Sequence, residues 1–144
     1  MKAINSIRLS FLSRSANEGF ARVAVAAFAS QLDPTVEEIS EIKTAVSEAV
    51  TNCIVHGYNE KLGMITIQGR LYEGGKLVIS IKDKGRGIED IEQAMEPLFT
   101  TGNEEERSGM GFTIMETFMD KVKVTSKPGI GTTVTFTKYI QSKT

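Results

Sequence analysis

Cysteine and histidine are nearly absent from the chain, with one of each, Cys53 and His56, in 144 residues. A single thiol closes no internal disulfide, and one thiol plus one imidazole falls short of the four ligands of a structural zinc site. Long apolar runs are missing too: nothing approaches the ~20 residues that span a bilayer. The first 20 residues alternate instead of forming the apolar stretch of a secretion signal, so the expected location is the cytoplasm, away from any membrane. An excess of one charge is also lacking, since 17 Lys and Arg face 18 Asp and Glu. A net charge of -1 offers no cationic field to a nucleic-acid backbone, so no direct nucleic-acid partner is expected. Neither the phosphate-loop pattern G-x-x-x-x-G-K nor the dinucleotide pattern G-x-G-x-x-G occurs, which disfavours those two nucleotide folds. There is no internal repeat and no low-complexity tract.

What remains is the composition of an ordinary globular protein, 40% hydrophobic and 24% charged, with one domain expected over residues 1–144. Ile4, Ile7, Leu9 and Phe11 alternate as an edge strand does. S-A-N-E at 15–18 reads as a capping box in which Ser15 and Glu18 satisfy the first amides of a helix, interrupted by Asp33 and Pro34. A second helix is expected from about Thr35, capped with Glu38, to Gly57, where a left-handed glycine would end it. Its apolar stripe is Ile39, Ile42, Val46, Ala49, Val50, Cys53 and Ile54. M-I-T-I-Q-G-R-L and K-L-V-I-S-I-K flank E-G-G as a central hairpin. A short helix from Glu89 to Met95 then precedes a long irregular stretch that reads as a lid, with Thr100 and Thr101 at its near end. A helix at 112–119 and a last hairpin, 121–126 with 133–139, complete the chain. Met110, Met115 and Met119 read as core packing.

Three segments carry chemistry. Glu48 and Asn52 lie one turn apart on one helix face, outside the apolar stripe. An amide oxygen plus phosphate oxygens makes a sufficient magnesium site, which assigns the metal to Asn52; Glu48 can then orient or deprotonate an attacking hydroxyl. The same pair also reads as a solvated face beside Glu41 and Lys43. Asp83, at a strand's end, can accept a hydrogen bond from the exocyclic amine of adenine, which guanine lacks, while Gly85 and Gly87 let backbone approach the ring; taken alone, the segment reads more readily as an ordinary strand-to-helix loop. Ser108, Gly109, Met110 and Gly111 run into a helix start, where unpaired amides favour phosphate and Arg107 adds charge. Ser108 as a plain cap, beside the acidic run Glu104 to Glu106, is the alternative.

Together with G-I-G-T at 129–132, the segments E-A-V-T-N, D-K-G-R-G and G-M-G resemble, in order, the four boxes of the Bergerat-type ATP-binding fold of gyrases, heat-shock chaperones, histidine kinases and MutL-like proteins. The resemblance implies an α/β (α+β) two-layer sandwich, with a mixed, mostly antiparallel sheet covered on one face by helices. It implies ATP or ADP with Mg²⁺ as ligands. It makes Glu48 the general base, Asn52 the magnesium residue, Asp83 the adenine reader, Gly85 and Gly87 hinge glycines, Gly109 and Gly111 lid glycines, and Thr132 the threonine of the last box. The words S-E-A-V-T-N-C-I-V-H-G-Y, E-P-L-F-T-T and R-S-G-M-G-F-T-I-M-E are similar to the small bacterial serine kinases that act as anti-sigma factors, nearest to the sporulation branch. That likeness implies a homodimer that holds a sigma factor when ATP is bound and phosphorylates a serine of an anti-anti-sigma protein. In this reading Glu48 and Arg107 are catalytic, and Arg22, lone in an alanine-rich helix, either anchors a protein partner or faces solvent. The alternatives are the general-stress branch, a non-catalytic ATP-gated binding module and a plain ATPase. A sensor kinase is disfavoured because the one histidine, His56, ends the Glu48 helix and reads as a helix-terminal residue.

Overall fold

In a computed structural model that describes residues 2–59, 61–95 and 111–141, the chain forms one five-stranded sheet with helices on one face. The elements are β1 (Asn5–Leu12), α1 (Ala16–Ala29), a short 3-10 turn (Ser30–Leu32) and α2 (Val36–Asn52), whose end passes into a π-helical turn (Cys53–Gly57). They continue with β2 (Met64–Tyr72), β3 (Lys76–Asp83), α3 (Ile91–Ala94), α4 (Gly111–Phe118), β4 (Lys121–Lys127) and β5 (Gly131–Tyr139). Strand order is β1-β2-β3-β5-β4 and every neighbouring pair is antiparallel, so the mostly antiparallel sheet expected is antiparallel throughout.

Strict alternation sends one face of each strand into the core. Ile65, Ile67, Ile79, Ile81, Val134 and Phe136 are all buried, and they pack against Val25 and Phe28 of α1, Ile42, Val46 and Val50 of α2, and Phe112 and Met115 of α4. Each such side chain contributes about 2 kcal/mol on burial. Lys138, also inward, is buried at the end of β5, where its ammonium donates to Glu41 Oε1 (3.0 Å) and to the Phe118 carbonyl (2.6 Å), tying the sheet to α2 and α4.

The expected capping box forms at α2 and not at α1. Thr35 Oγ1 accepts from the Glu38 amide and Glu38 Oε1 accepts from the Thr35 amide. Ser15, by contrast, already has helical backbone angles, φ -54 and ψ -35, and caps nothing with its side chain, since a cap needs extended backbone to turn its hydroxyl onto the third amide. Glu18 instead accepts from Ser47 Oγ of α2 and pairs with Arg22 at 3.7 Å. A second correction concerns Gly57: it has no left-handed backbone, and the positive φ beyond the helix, 50°, falls on Asn59. Asp83 is the last residue of β3, and Thr132 belongs to β5.

Candidate nucleotide-binding site

The π-helical turn ending α2 presses against the segment that follows β3. The Arg86 amide donates to the Gly57 carbonyl (2.8 Å) and Arg86 Nε donates to the His56 carbonyl (2.7 Å). A methyl on Gly57 would stand 2.8 Å from the Asp83 carboxylate, and one on Gly85 would stand 2.0 Å from the Gly57 carbonyl oxygen, so both glycines are required by close approach. Gly87 has φ +76 and faces the Lys127 carbonyl, while the Gly129 amide donates to the Arg86 carbonyl (2.6 Å). Three segments distant in sequence, 52–57, 83–88 and 126–132, are thus bonded into one wall.

Behind that wall, between α2, α4 and the inward ends of β3 and β5, lies a cavity of about 540 Å³, within the range of small-molecule sites. Asn52, Asp83, Gly87, Gly111 and Thr132 line it, as do Cys53, Pro128, and the apolar Ala49, Ile81, Ile88, Phe112 and Val134. Asp83 is 3% exposed. Burial pushes its carboxyl above the usual aspartate value, opposed by hydrogen bonds from the Gly85 amide, the Cys53 thiol and the Thr132 amide. Cys53 is itself buried, and desolvation with the adjacent Asp83 charge pushes its thiol well up, so it stays a protonated donor at neutral pH.

Thr132 is oriented by Ser126, which sequence reasoning missed. Ser126 Oγ donates to the Gly131 carbonyl (2.9 Å), accepts from the Ile88 amide (2.7 Å) and lies 2.8 Å from Thr132 Oγ1. With Ser126's one proton committed, Thr132 is the donor in that pair, and its oxygen is left as an acceptor beside Asp83. The only signal in the sequence is the alternation Val122, Val124, Ser126, which turns a hydroxyl inward at a strand's end.

At the cavity's other end, α4 starts over the Glu48 face of α2. A methyl on Gly111 would be 3.4 Å from Asn52 Nδ2, 3.6 Å from Asn52 Oδ1 and 3.5 Å from Glu48 Oε1. Glu48 sits at the rim instead of on the cavity wall, and lines a neighbouring groove with Arg22, Val23, Lys43 and Ser47. Arg22 is therefore apart from the cavity. Thr100, Thr101, Arg107, Ser108, Gly109 and Met110 lie outside the described residues. Among the described residues no cluster of three or more His, Cys, Asp or Glu could hold a metal, and no helix is long and apolar enough to cross a membrane.

Residues 11–138 match the histidine kinase-like ATPase domain family, and the chain belongs to that family. More particular relatives are curated anti-sigma F factors: one from Thermoanaerobacter pseudethanolicus is 63% identical over 142 residues, 99% of both chains. One from Caldanaerobacter subterraneus is 61% identical over 97% of both chains, and one from Clostridium kluyveri is 53% identical over 96% of both. Among solved structures, the RsbU and RsbW domains of a Mycobacterium tuberculosis protein superpose with a TM-score of 0.69 at 20% identity, covering 94% of this chain and 32% of that one. The mycobacterial sensor histidine kinase MprB gives 0.59 at 15% identity over 94% and 99%. These last two likenesses concern the fold.

Proposed function

We propose that the chain is an ATP-dependent anti-sigma factor that acts as a serine protein kinase, taking a sporulation sigma factor, the sigma F of its relatives' name, as its captive. Its phosphoryl acceptor is a serine of an anti-anti-sigma protein, and it works as a cytoplasmic homodimer. The observation that carries the reading is the convergence of Asn52, Asp83, Gly111 and Thr132, from four separate segments, on one cavity.

In this reading Asp83 accepts from the adenine amine, Thr132 offers a second acceptor beside it, and the apolar wall sandwiches the ring. Gly85 and Gly87 bring backbone to the base. The segment from Arg107 to Gly111 is assigned the phosphates and Thr100 and Thr101 the lid, on the sequence pattern alone. The chemistry of the donor set fits Mg²⁺: one hard amide oxygen, Asn52 Oδ1, close to a helix start, with the ligand's own phosphates completing the shell. Bound there, the ion supplies neutralisation of phosphate charge. Glu48, one turn from Asn52 and at the rim, accepts the proton of the incoming serine hydroxyl. The serine oxygen bonds to the terminal phosphorus as its bond to the bridging oxygen breaks, and ADP leaves. A rim position suits a base whose substrate is a protein arriving from outside.

Incubation with γ-labelled ATP and the anti-anti-sigma protein tests this. Serine labelling is expected, lost in Glu48→Ala while calorimetric ATP binding persists. Absent labelling with sigma binding intact would select the non-catalytic ATP-gated module, and capture of a general-stress sigma factor instead would reassign the partner.

A further inference from the structure

The near-zero net charge hides a sharp segregation. The sheet's outward face, which no helix covers among the described residues, is set by register. Ser6–Arg70–Val78–Thr137–Lys121, Arg8–Gln68–Ser80–Thr135–Lys123 and Ser10–Thr66–Lys82–Thr133–Thr125 form three successive cross-strand rows. Tyr72, Lys76 and Tyr139 form a fourth. Arg8, Arg70, Lys76, Lys82, Lys121 and Lys123 project from these rows, with Lys127 at the end of β4 beside them, and among the described residues no Asp or Glu holds an outward strand position. All but Lys76 are exposed. Between them stand hydroxyls, the Gln68 amide and one valine, Val78, and of the hydroxyls Ser10 and Thr66 already bond each other at 3.0 Å.

We propose that this face is a docking surface for an acidic protein partner, separate from the nucleotide cavity. Cavity residues Asp83, Thr132 and Val134 point to the other side of the sheet, so a partner bound outside leaves the cavity open. Charge complementarity chooses the occupant. A second copy meeting this face across a two-fold axis would set like charges against each other. A nucleic acid would find no groove, and only Tyr72 and Tyr139 to stack on, at one end, with Lys76 already 5.3 Å from the Tyr72 ring centre. Apart from those seven, the remaining ten of 17 Lys and Arg are outnumbered by 18 carboxylates, which repels a polyanion long enough to overrun the face. A compact patch of Asp and Glu meets neither obstacle. Four strand spacings by nine residues give an area on the order of 500 Å², below the ~800 Å² per partner of a stable complex, so the contact is transient and salt-sensitive.

A twenty-residue polyglutamate peptide is the probe, titrated by fluorescence anisotropy into the full chain at low and moderate salt. Binding that weakens steeply with salt is expected, at least tenfold weaker in the combined Arg8→Gln, Arg70→Gln, Lys121→Gln and Lys123→Gln variant, whose MgATP titration stays at the wild-type value. Carbodiimide coupling should place the peptide on Lys82, Lys121 or Lys123. Undiminished peptide binding by the variant, coupling concentrated on Lys43, tighter binding of an oligothymidylate of equal charge, or a dimer that dissociates in the variant would each overturn the proposal. Loss of MgATP binding by the wild type would leave it standing, because it does not depend on the nucleotide reading.

Discussion

Asp83 combines two demands that oppose each other: its carboxylate is buried at 3% exposure, yet reading an adenine amine requires it to accept hydrogen bonds. Desolvation pushes its carboxyl above the usual aspartate value, and hydrogen bonds from the Gly85 amide, the Cys53 thiol and the Thr132 amide offset part of that push. Because its folded pKa is raised above the unfolded value, the folded protein binds the extra proton first as pH falls. Its contribution to stability is therefore present at low pH and lost as pH rises through the folded pKa. Relative to Asp83→Asn, the ligand-free wild type should gain thermal stability on acidification across that window, a difference readable from paired melting curves. Cys53→Ala removes one donor and should move the window to higher pH, whereas Cys53→Ser retains an O–H donor and should leave it nearer the wild-type position. Identical profiles for all three would deny the thiol any hold on Asp83. The sequence disclosed Asp83 by its place after an apolar run, but not Cys53's part, because that residue counts only as one more member of a helical apolar stripe.

One element, α2, carries the cap, five buried core residues and one side of the cavity, and its two ends were legible to different degrees. The capping box at Thr35 and Glu38 is written in local spacing and forms as read. Thr35→Ala should cost about 1 kcal/mol, lowering the melting temperature by about 3 °C with MgATP affinity unchanged. The far end was misread because its reason is not local. Gly57 is needed because a methyl there would stand 2.8 Å from the Asp83 carboxylate of another element, not for a left-handed turn, and no spacing rule contains that distance. Gly57→Ala should therefore do the reverse of Thr35→Ala. The added methyl displaces the Asp83 carboxylate and should weaken ATP binding at least tenfold, while an alanine in this π-helical turn, where φ is not positive, adds no left-handed backbone strain. Unaltered ATP affinity in Gly57→Ala would show that the carboxylate can shift without consequence. The failed box at Ser15 has the same lesson in the other direction: the S-A-N-E pattern was correct as a pattern, but Glu18 is taken by Ser47 of α2.

At the scale of the molecule, the cavity is the seam between two layers. Asn52 and Cys53 come from the helices, and Asp83 and Thr132 from the sheet. A ligand that grips both layers binds only the assembled fold, so it must stabilise the whole. At a concentration 100-fold above its dissociation constant MgATP contributes about 2.7 kcal/mol, which for a chain of this size raises the melting temperature by about 10 °C. Two variants divide that shift by layer. Asp83→Asn removes the base contact and should lose most of it with or without metal. Asn52→Ala removes the proposed metal contact, so its smaller remaining shift should be insensitive to EDTA, whereas the wild-type shift should fall on EDTA addition to the level of Asn52→Ala in EDTA. A wild-type shift indifferent to chelation would remove magnesium from Asn52 while leaving the adenine contact at Asp83 intact. Loss of the shift in Asn52→Ala alone would place the nucleotide's grip on the helix layer only.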